Sequence, residues 1–417
     1  MKFNLGGIRR ILRRLGNPER AFPCVHIAGS NGKGSTAAMI ASILTAAGYR
    51  TGLYTSPHVS DFSERIRVDG RPVSRPSIVR WTRRLRRIIE REGGTFFEAA
   101  TAMAFAYFKE QRIDVAVVET GLGGRLDATN VVRPLVSVIT SVSREHTQIL
   151  GTTLSAIARE KAGIIKQRTP CIIGERSPTV LRVMSRVAKA RNAPVYIPPA
   201  GSVRALKRGW YGSEIRAQRR DLSLNRLRLS LAGVYQEANL RIALETVLLL
   251  KEQYGFVLSK QDIRRGLAQV RHFSGIRARM EVMRRRPMVI LDVGHNPDAA
   301  RRLERSLRSV GLRNLLIVFG VMRDKDARSM LRALQPAAAA WVFVQPRTPR
   351  AVPASELASL ATRLGIHAEA CGDVHTGVQR AMQRGGKTGR ILITGSHFVV
   401  GEALARLEGK NYLTINQ

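Results

Sequence analysis

Residues 26–44 read HIAGSNGKGSTAAMIASIL, and three glycines and a lysine sit where an apolar run meets a helical pattern. Residues 22–27 have the composition of a short buried strand, and residues 36–47 place Ala, Met, Ile and Leu at helical spacing. Strand, glycine loop and helix together form the setting in which backbone N–H groups and a helix N-terminus cradle phosphates. Lys33 would neutralise terminal phosphates, and a hydroxyl at Ser35 or Thr36 would lie near a magnesium ion. Gly34 stands between lysine and hydroxyl, a departure from the strict P-loop spacing. The competing reading is a glycine-rich turn with a solvated lysine.

Around this stretch the chain has 417 residues, which predicts two domains, and 44% hydrophobic residues, enough for two cores. Cys24, Cys171 and Cys371 are far apart and show neither metal nor disulfide spacing, so the expected setting is reducing. MKFNLGGIRRILRRLG is basic and amphipathic but lacks the continuous apolar core of a signal peptide. No run reaches the roughly 18 apolar residues of a membrane span. The expectation is a cytoplasmic protein without membrane or nucleic-acid partners. The net charge of +38 comes from 12 lysines and 57 arginines. Such a charge suits nucleic acid, acidic small substrates or arginine-rich codon usage. The basic residues are spread along the chain, and with 6% aromatics there is no interleaving that suggests a stacking platform.

Strands and helices alternate up to about residue 275: IDVAVVE (113–119), LVSVITS (135–141), a helical TLSAIAREKAG, PCIIG (170–174), then helices over 236–253 and 259–270. After the arginine-rich RARMEVMRRRP a second series follows: MVILDV, a helix from Pro297, LLIVFG, AWVFV, a helix from Ala354, RILITG and a last helix. Two such series predict two parallel-sheet α/β domains, residues 1–278 and 279–417. Segment 200–232 is irregular.

Polar clusters stand at the carboxyl ends of strands, where α/β sheets bind ligands. Glu119 ends one strand ahead of GLGGRLDATN and could hold magnesium beside phosphates. TSPH brings Ser56 to the same edge, SREHTQILG brings His146, and LDVGHNP brings Asp292, His295 and Asn296 in the second series. A lone histidine is more often structural than functional. Four clusters at strand ends are read as one site.

GSNGKGST, YTSPHVSDFSERIRV, ETGLGGRLDATN, EHTQILGTTLSAIAREKAGIIK, LDVGHNP, VFGVMRDKD and ITGSHFVVGE together resemble the Mur-ligase superfamily, and within it the folylpolyglutamate synthase/dihydrofolate synthase branch. The resemblance spans nearly the whole chain. It implies an N-terminal P-loop Mur-ligase-type ATPase domain and a smaller C-terminal Rossmann-like α/β domain. It also implies ATP-dependent ligation of L-glutamate to dihydropteroate or (tetrahydro)folate polyglutamates, through an acyl phosphate, by a monomer. Asn31, Gly32, Lys33, Gly34, Ser35 and Thr36 match the ATP loop, and Asn239, Arg279 and Asp292 match further ATP contacts. Ser56 and Glu119 match ligands of one magnesium, and His146 matches a ligand of a second. Lys161 matches a carbamylated lysine; the alternative is an ordinary helix-surface lysine. Phe97, Glu98 and Asp127 match the pterin side, and His295 and Ser396 the glutamate side. Lys33, His146, Lys161 and His295 would act in catalysis.

The chain departs from the family pattern at Glu145, usually Asp, and at Tyr235, usually His. It also departs around Arg279, where Arg277 is a competing candidate. The rivals are a cell-wall precursor ligase, against which GLGGRLDATN argues, and a nucleic-acid-binding P-loop ATPase.

Overall fold

The computed structural model describes residues 4–410 and 412. Its first sheet contains β1 (Cys24–Ala28), β2 (Thr51–Tyr54), β3 (Ile66–Val68), β4 (Arg71–Pro72), β5 (Val115–Glu119), β6 (Val136–Ile139), β7 (Cys171–Ile173) and β8 (Val195–Tyr196). Their order across the sheet is β4-β3-β2-β5-β1-β6-β7-β8, antiparallel only where β3 meets β2 and β4. β1, β5 and β6 are buried along their whole length, which is why they read as continuous apolar runs. Since β1 lies between β5 and β6, the loops leaving all three open at one edge.

Helix Lys33–Ala46 follows β1 and is apolar on every side, because it is enclosed between the sheet and the helices Gln236–Tyr254 and Lys260–Ala268. The crossing with Lys260–Ala268 is close. A Cβ on Gly266 would stand 2.7 Å from the Cα of Ile43, and Ser42 Oγ donates to the Gly266 carbonyl at 2.7 Å.

Segment 200–232, irregular in sequence, forms an antiparallel sheet of β9 (Val203–Gly209), β10 (Gly212–Arg219) and β11 (Leu222–Leu229). Leu222, Leu224, Leu227 and Leu229 enter the main core, while arginines take the outward positions. Register shifts at Glu214/Ile215 and Ile215/Ala217 interrupt the two-residue period and hide the strands.

The third sheet has β12 (Glu281–Arg285), β13 (Met288–Leu291), β14 (Leu315–Phe319), β15 (Ala338–Gln345), β16 (Ala368–Asp373) and β17 (Arg390–Thr394). Its order is β12-β13-β17-β14-β15-β16, with only β12 antiparallel. The arginine-rich stretch that separates the two series in sequence is thus the edge strand β12, and its charged end lies in water. No described helix is long and apolar enough to cross a membrane. All three cysteines are buried and unpaired.

Candidate active site

The turn from β1 into Lys33–Ala46 is fixed by glycine and by hydrogen bonds from the end of β6. Gly32 caps the helix with φ 88°, and a Cβ there would lie 2.3 Å from Asn239 Oδ1. Ser30 N donates to Ser141 O at 2.7 Å, Asn31 N to Ser141 Oγ at 3.0 Å, and Thr140 Oγ1 to Asn31 O at 2.8 Å. Lys33 folds over this loop, its Nζ donating to Gly29 O at 3.0 Å and Ser30 O at 3.4 Å. Ser35 and Thr36 are buried in the first helical turn. Gln236 Nε2 reaches Ser35 Oγ at 3.4 Å, whereas Thr36 Oγ1 has no partner.

Glu119, the last residue of β5, enters the same space. Its Oε2 accepts from Ser56 N at 3.3 Å, and Ser56 Oγ is a second buried hydroxyl without a partner. A Cβ on Gly34 would stand 3.4 Å from Arg279 Nη2 and 3.6 Å from Glu119 Oε2, so the arginine and the carboxylate meet at the loop. Burial pushes the Glu119 pKa up, against the pull of Lys33 and Arg279. A buried carboxylate beside the orphan Ser56 hydroxyl is a pair of oxygen donors that fits a hard divalent cation.

Beyond β6 lie Glu145, His146 and Lys161. Lys161 belongs to helix Leu154–Ala162 but is only 1% exposed, so it is no helix-surface lysine. Its Nζ is 3.1 Å from Glu145 Oε1. Burial lowers the Lys161 pKa, and the Glu145 carboxylate opposes that shift. For Glu145 burial alone would act upward, yet Lys161 and Lys33 outweigh it and hold the carboxyl at about 2. GLGGRLDATN places this helix: a Cβ on Gly124 would meet the carbonyls of Glu160 and Lys161 at 2.9 and 3.0 Å. His146, at φ 47°, turns its Nε2 to within 3.5 Å of Lys325 Nζ in the second domain. Burial and Lys325 together hold that imidazole neutral, at about 4.

The second domain faces this edge with the loop after β13. Asp292 accepts from Met280 N at 2.9 Å, Gly294 N at 2.8 Å and, across the domain junction, Tyr235 Oη at 3.1 Å. Asn296 caps helix Pro297–Ser309 and donates to Asn31 Oδ1 at 3.0 Å, while Asn31 Nδ2 donates to Asp298 Oδ2 at 3.1 Å. His295 Nδ1 is 3.0 Å from Val293 O, and its ring lies 5.1 Å from that of His397. Burial keeps both rings neutral, His295 at about 4. Ser396 Oγ is committed to Val399 N at 3.1 Å as the cap of helix His397–Leu407.

The two candidate arginines of the connecting segment part company. Arg277 pairs with Glu281 and Glu408, each at 2.9 Å. Arg279 reaches the loop and stands between Ala278 (φ 54°) and Met280 (φ 48°), both in the left-handed region.

Phe97 packs over Gly121, where a Cβ would come within 2.5 Å of its Cζ, and lies 6.3 Å from the Tyr54 ring. Glu98 and Asp127 are less available than the sequence implied. Glu98 closes a capping box with Thr95, accepting from Thr95 N at 2.8 Å. Asp127 accepts from Gly121 N, Leu122 N and Thr129 N at 2.8–3.0 Å and from the Thr129 hydroxyl. Sequence reading missed Asp298, Lys325 and His397 as neighbours of the site. The last two stand inside VFGVMRDKD and ITGSHFVVGE, so the signal was the motif rather than the residue.

The paired sheets, the lysine loop at their junction and the cross-domain contacts define a P-loop ligase of the Mur type. Accordingly, the Mur ligase middle domain matches residues 27–247, and the Mur ligase glutamate ligase domain matches residues 278–397. Folylpolyglutamate synthase of Lacticaseibacillus casei is 36% identical over 355 residues, 83% of this chain and 82% of that protein. Dihydrofolate synthase/folylpolyglutamate synthase of Bacillus subtilis is 34% identical over 369 residues, 86% and 84% of the two chains. Mycobacterium tuberculosis folylpolyglutamate synthase complexed with ADP superposes with a TM-score of 0.89 at 33% identity, over 98% and 95% of the chains. A bifunctional folylpolyglutamate synthase/dihydrofolate synthase with Mn, AMPPNP and L-glutamate bound gives 0.84 at 31%, over 98% and 95%. This chain belongs to the folylpolyglutamate synthase/dihydrofolate synthase family.

Proposed function

We propose that this ATP-dependent ligase joins the amine of L-glutamate to the carboxyl of dihydropteroate, of (tetrahydro)folate polyglutamates, or of both, releasing ADP and phosphate. The observation that carries the reading is the convergence of Lys33, Glu119, Arg279 and the orphan Ser56 hydroxyl on one glycine loop. A carboxylate is a poor acyl donor, so ATP first converts it to an acyl phosphate, which the glutamate amine then attacks. Lys33, free to leave its carbonyl partners, follows the transferring phosphoryl group, and Arg279 adds a second cation. Ser56 and Glu119 would hold a divalent cation, which when bound offsets phosphate charge; His146 fits a second one.

Lys161 is assigned as a carbamate. Its buried amine, with a lowered pKa, is the form that adds carbon dioxide. His295 and His397 are neutral at pH 7, so they accept hydrogen bonds from the incoming ammonium without repelling it. The reading assigns residues 1–278 to ATP and the pterin, with Phe97 as its apolar wall, and residues 279–417 to glutamate. It takes the protein to act as a monomer in the cytoplasm, where three buried thiols stay reduced.

ADP release with dihydropteroate and with tetrahydrofolate, each plus glutamate, tests the proposal. Release with either acid supports it and tells which ligation is made; release with neither overturns it.

A further inference from the structure

Among the described residues of this arginine-rich chain, Arg65 is the only arginine that is buried, at 2% exposure. Several arginines with partly buried side chains meet carboxylates, Arg219 and Arg220 closing on Glu245 and Arg277 on Glu281 and Glu408, while half-buried Arg271 leaves its Nη2 without a partner. Arg65 has no carboxylate within 4.0 Å among the described residues. Its Nε donates to His58 Nδ1 at 2.9 Å, and its Cζ lies 5.5 Å from the centre of the Phe96 ring. Two acids feel its charge without pairing with it. Glu64 is consumed by Val59 N, Ser60 N, Ser60 Oγ and Asp61 N. Glu119 faces Ser56 and the lysine loop.

A buried guanidinium without a counter-ion is unfavourable, and one is expected only where an anion arrives. The position says which anion. Arg65 feels the charge of Glu119, at the nucleotide loop, and lies against Phe96, whose chain neighbour Phe97 walls the proposed pterin side. A substrate with its ring system against Phe97 and its acyl end at the loop must bring a carboxylate past this point. We propose that Arg65 grips the carboxylate end of the pteroyl or folyl substrate, as a binding residue that sets specificity for the acid. The planar fork suits a bidentate carboxylate. The assignment rests on the functional reading above. The carboxylate is either that of the aminobenzoyl group or the α-carboxylate of a terminal glutamate.

The test uses full-length protein with ADP and magnesium, and measures binding by fluorescence titration. The probes are dihydropteroate and its primary amide, and tetrahydrofolate and its α-carboxamide. The parent should prefer each acid that Arg65 holds by about 10- to 100-fold. In Arg65→Gln that preference should collapse toward unity while ADP affinity stays within about twofold, since Arg65 is not a nucleotide contact. Arg65→Lys, which keeps the charge but loses the fork, should fall between and serves if the Gln variant folds poorly. Collapse with the pteroate pair assigns the aminobenzoyl carboxylate, and collapse with the folate pair the α-carboxylate. An unchanged acid preference in both pairs, in a protein whose parent turns over either acid, overturns this assignment alone. A parent that turns over neither acid overturns the functional reading and takes this one with it.

Discussion

Glu119 and Asp127 bracket one loop, both buried and both with pKa values raised by burial, yet they are placed for opposite purposes. Asp127 is saturated by three backbone N–H groups and a hydroxyl, all within its own turn. Glu119 accepts one long hydrogen bond and has the Arg279 cation and the orphan Ser56 hydroxyl beside it. A buried acid whose lone pairs are all used holds a fold together. One whose lone pairs are left over is waiting for a ligand.

Substitution separates the two most strongly. Glu119→Ala and Lys33→Ala should each lower turnover by about 1000-fold or more while leaving Tm within about 2 °C. Near-normal turnover of either variant at saturating ATP and magnesium removes Glu119 from the ligand side of the comparison, or Lys33 from the loop's chemistry. Lys161→Arg tests whether the pair beyond β6 belongs with Glu119. It keeps a cation near Glu145 but cannot carry a carbamate, and should cost about 100-fold in kcat. Parent-like turnover would make the Lys161–Glu145 pair structural, like Asp127.

Asp127→Ala should behave in the contrary way. Leaving several donors without an acceptor should cost about 3 kcal/mol of stability, read as a fall in the denaturant midpoint. Turnover per folded molecule should fall far less than in Glu119→Ala. A stable Asp127→Ala with greatly weakened pterin binding would return Asp127 to the substrate side.

The smallest effect is a pH slope. His58, His146 and His295 are held at about 4 and His26 at about 3, all chiefly by burial. Their unfolded values are near 6.5, so the unfolded chain binds more protons below that pH. Stability is therefore complete above about pH 6.5 and declines as pH falls toward 4. In protein whose Lys161 is a free ammonium rather than a carbamate, Glu145, held at about 2, adds its own loss below the ordinary glutamate value as that ion pair is protonated away. Tm followed from pH 7 to 4.5 checks this, and a flat profile would mean that these rings are not neutral in the fold.

What was legible in sequence follows the same division. The strand–loop–helix units, the lysine loop and the polar strand ends could be read because local pattern dictates them: continuous apolar runs for buried strands, glycine where a Cβ would collide. The bulged sheet of β9–β11 could not, since its period breaks at Glu214–Ala217. The burial of Lys161 could not either. It comes from the loop at Gly124 closing over the helix, a long-range contact that leaves no trace in LSAIAREKA. Arg277 and Arg279 were equivalent on paper, and Glu408, 131 residues further on, is what claims Arg277.

Arg279 holds its place at the loop between two non-glycine residues of left-handed backbone, each at a cost of roughly 1–2 kcal/mol. The peptide at Met280 is held there by Asp292, and that at Ala278 by Glu281, with Ala278 N donating to Glu281 Oε2 at 2.6 Å. The arginine is therefore not a free arm that searches for nucleotide. It is geared to the connecting segment, so any rotation of the second domain withdraws or delivers its charge in the same stroke. We predict that nucleotide binding and domain posture are coupled through Arg279, so that a single fluorophore on the outer rim of either lobe changes signal when ATP is added; an unchanged signal would uncouple the two.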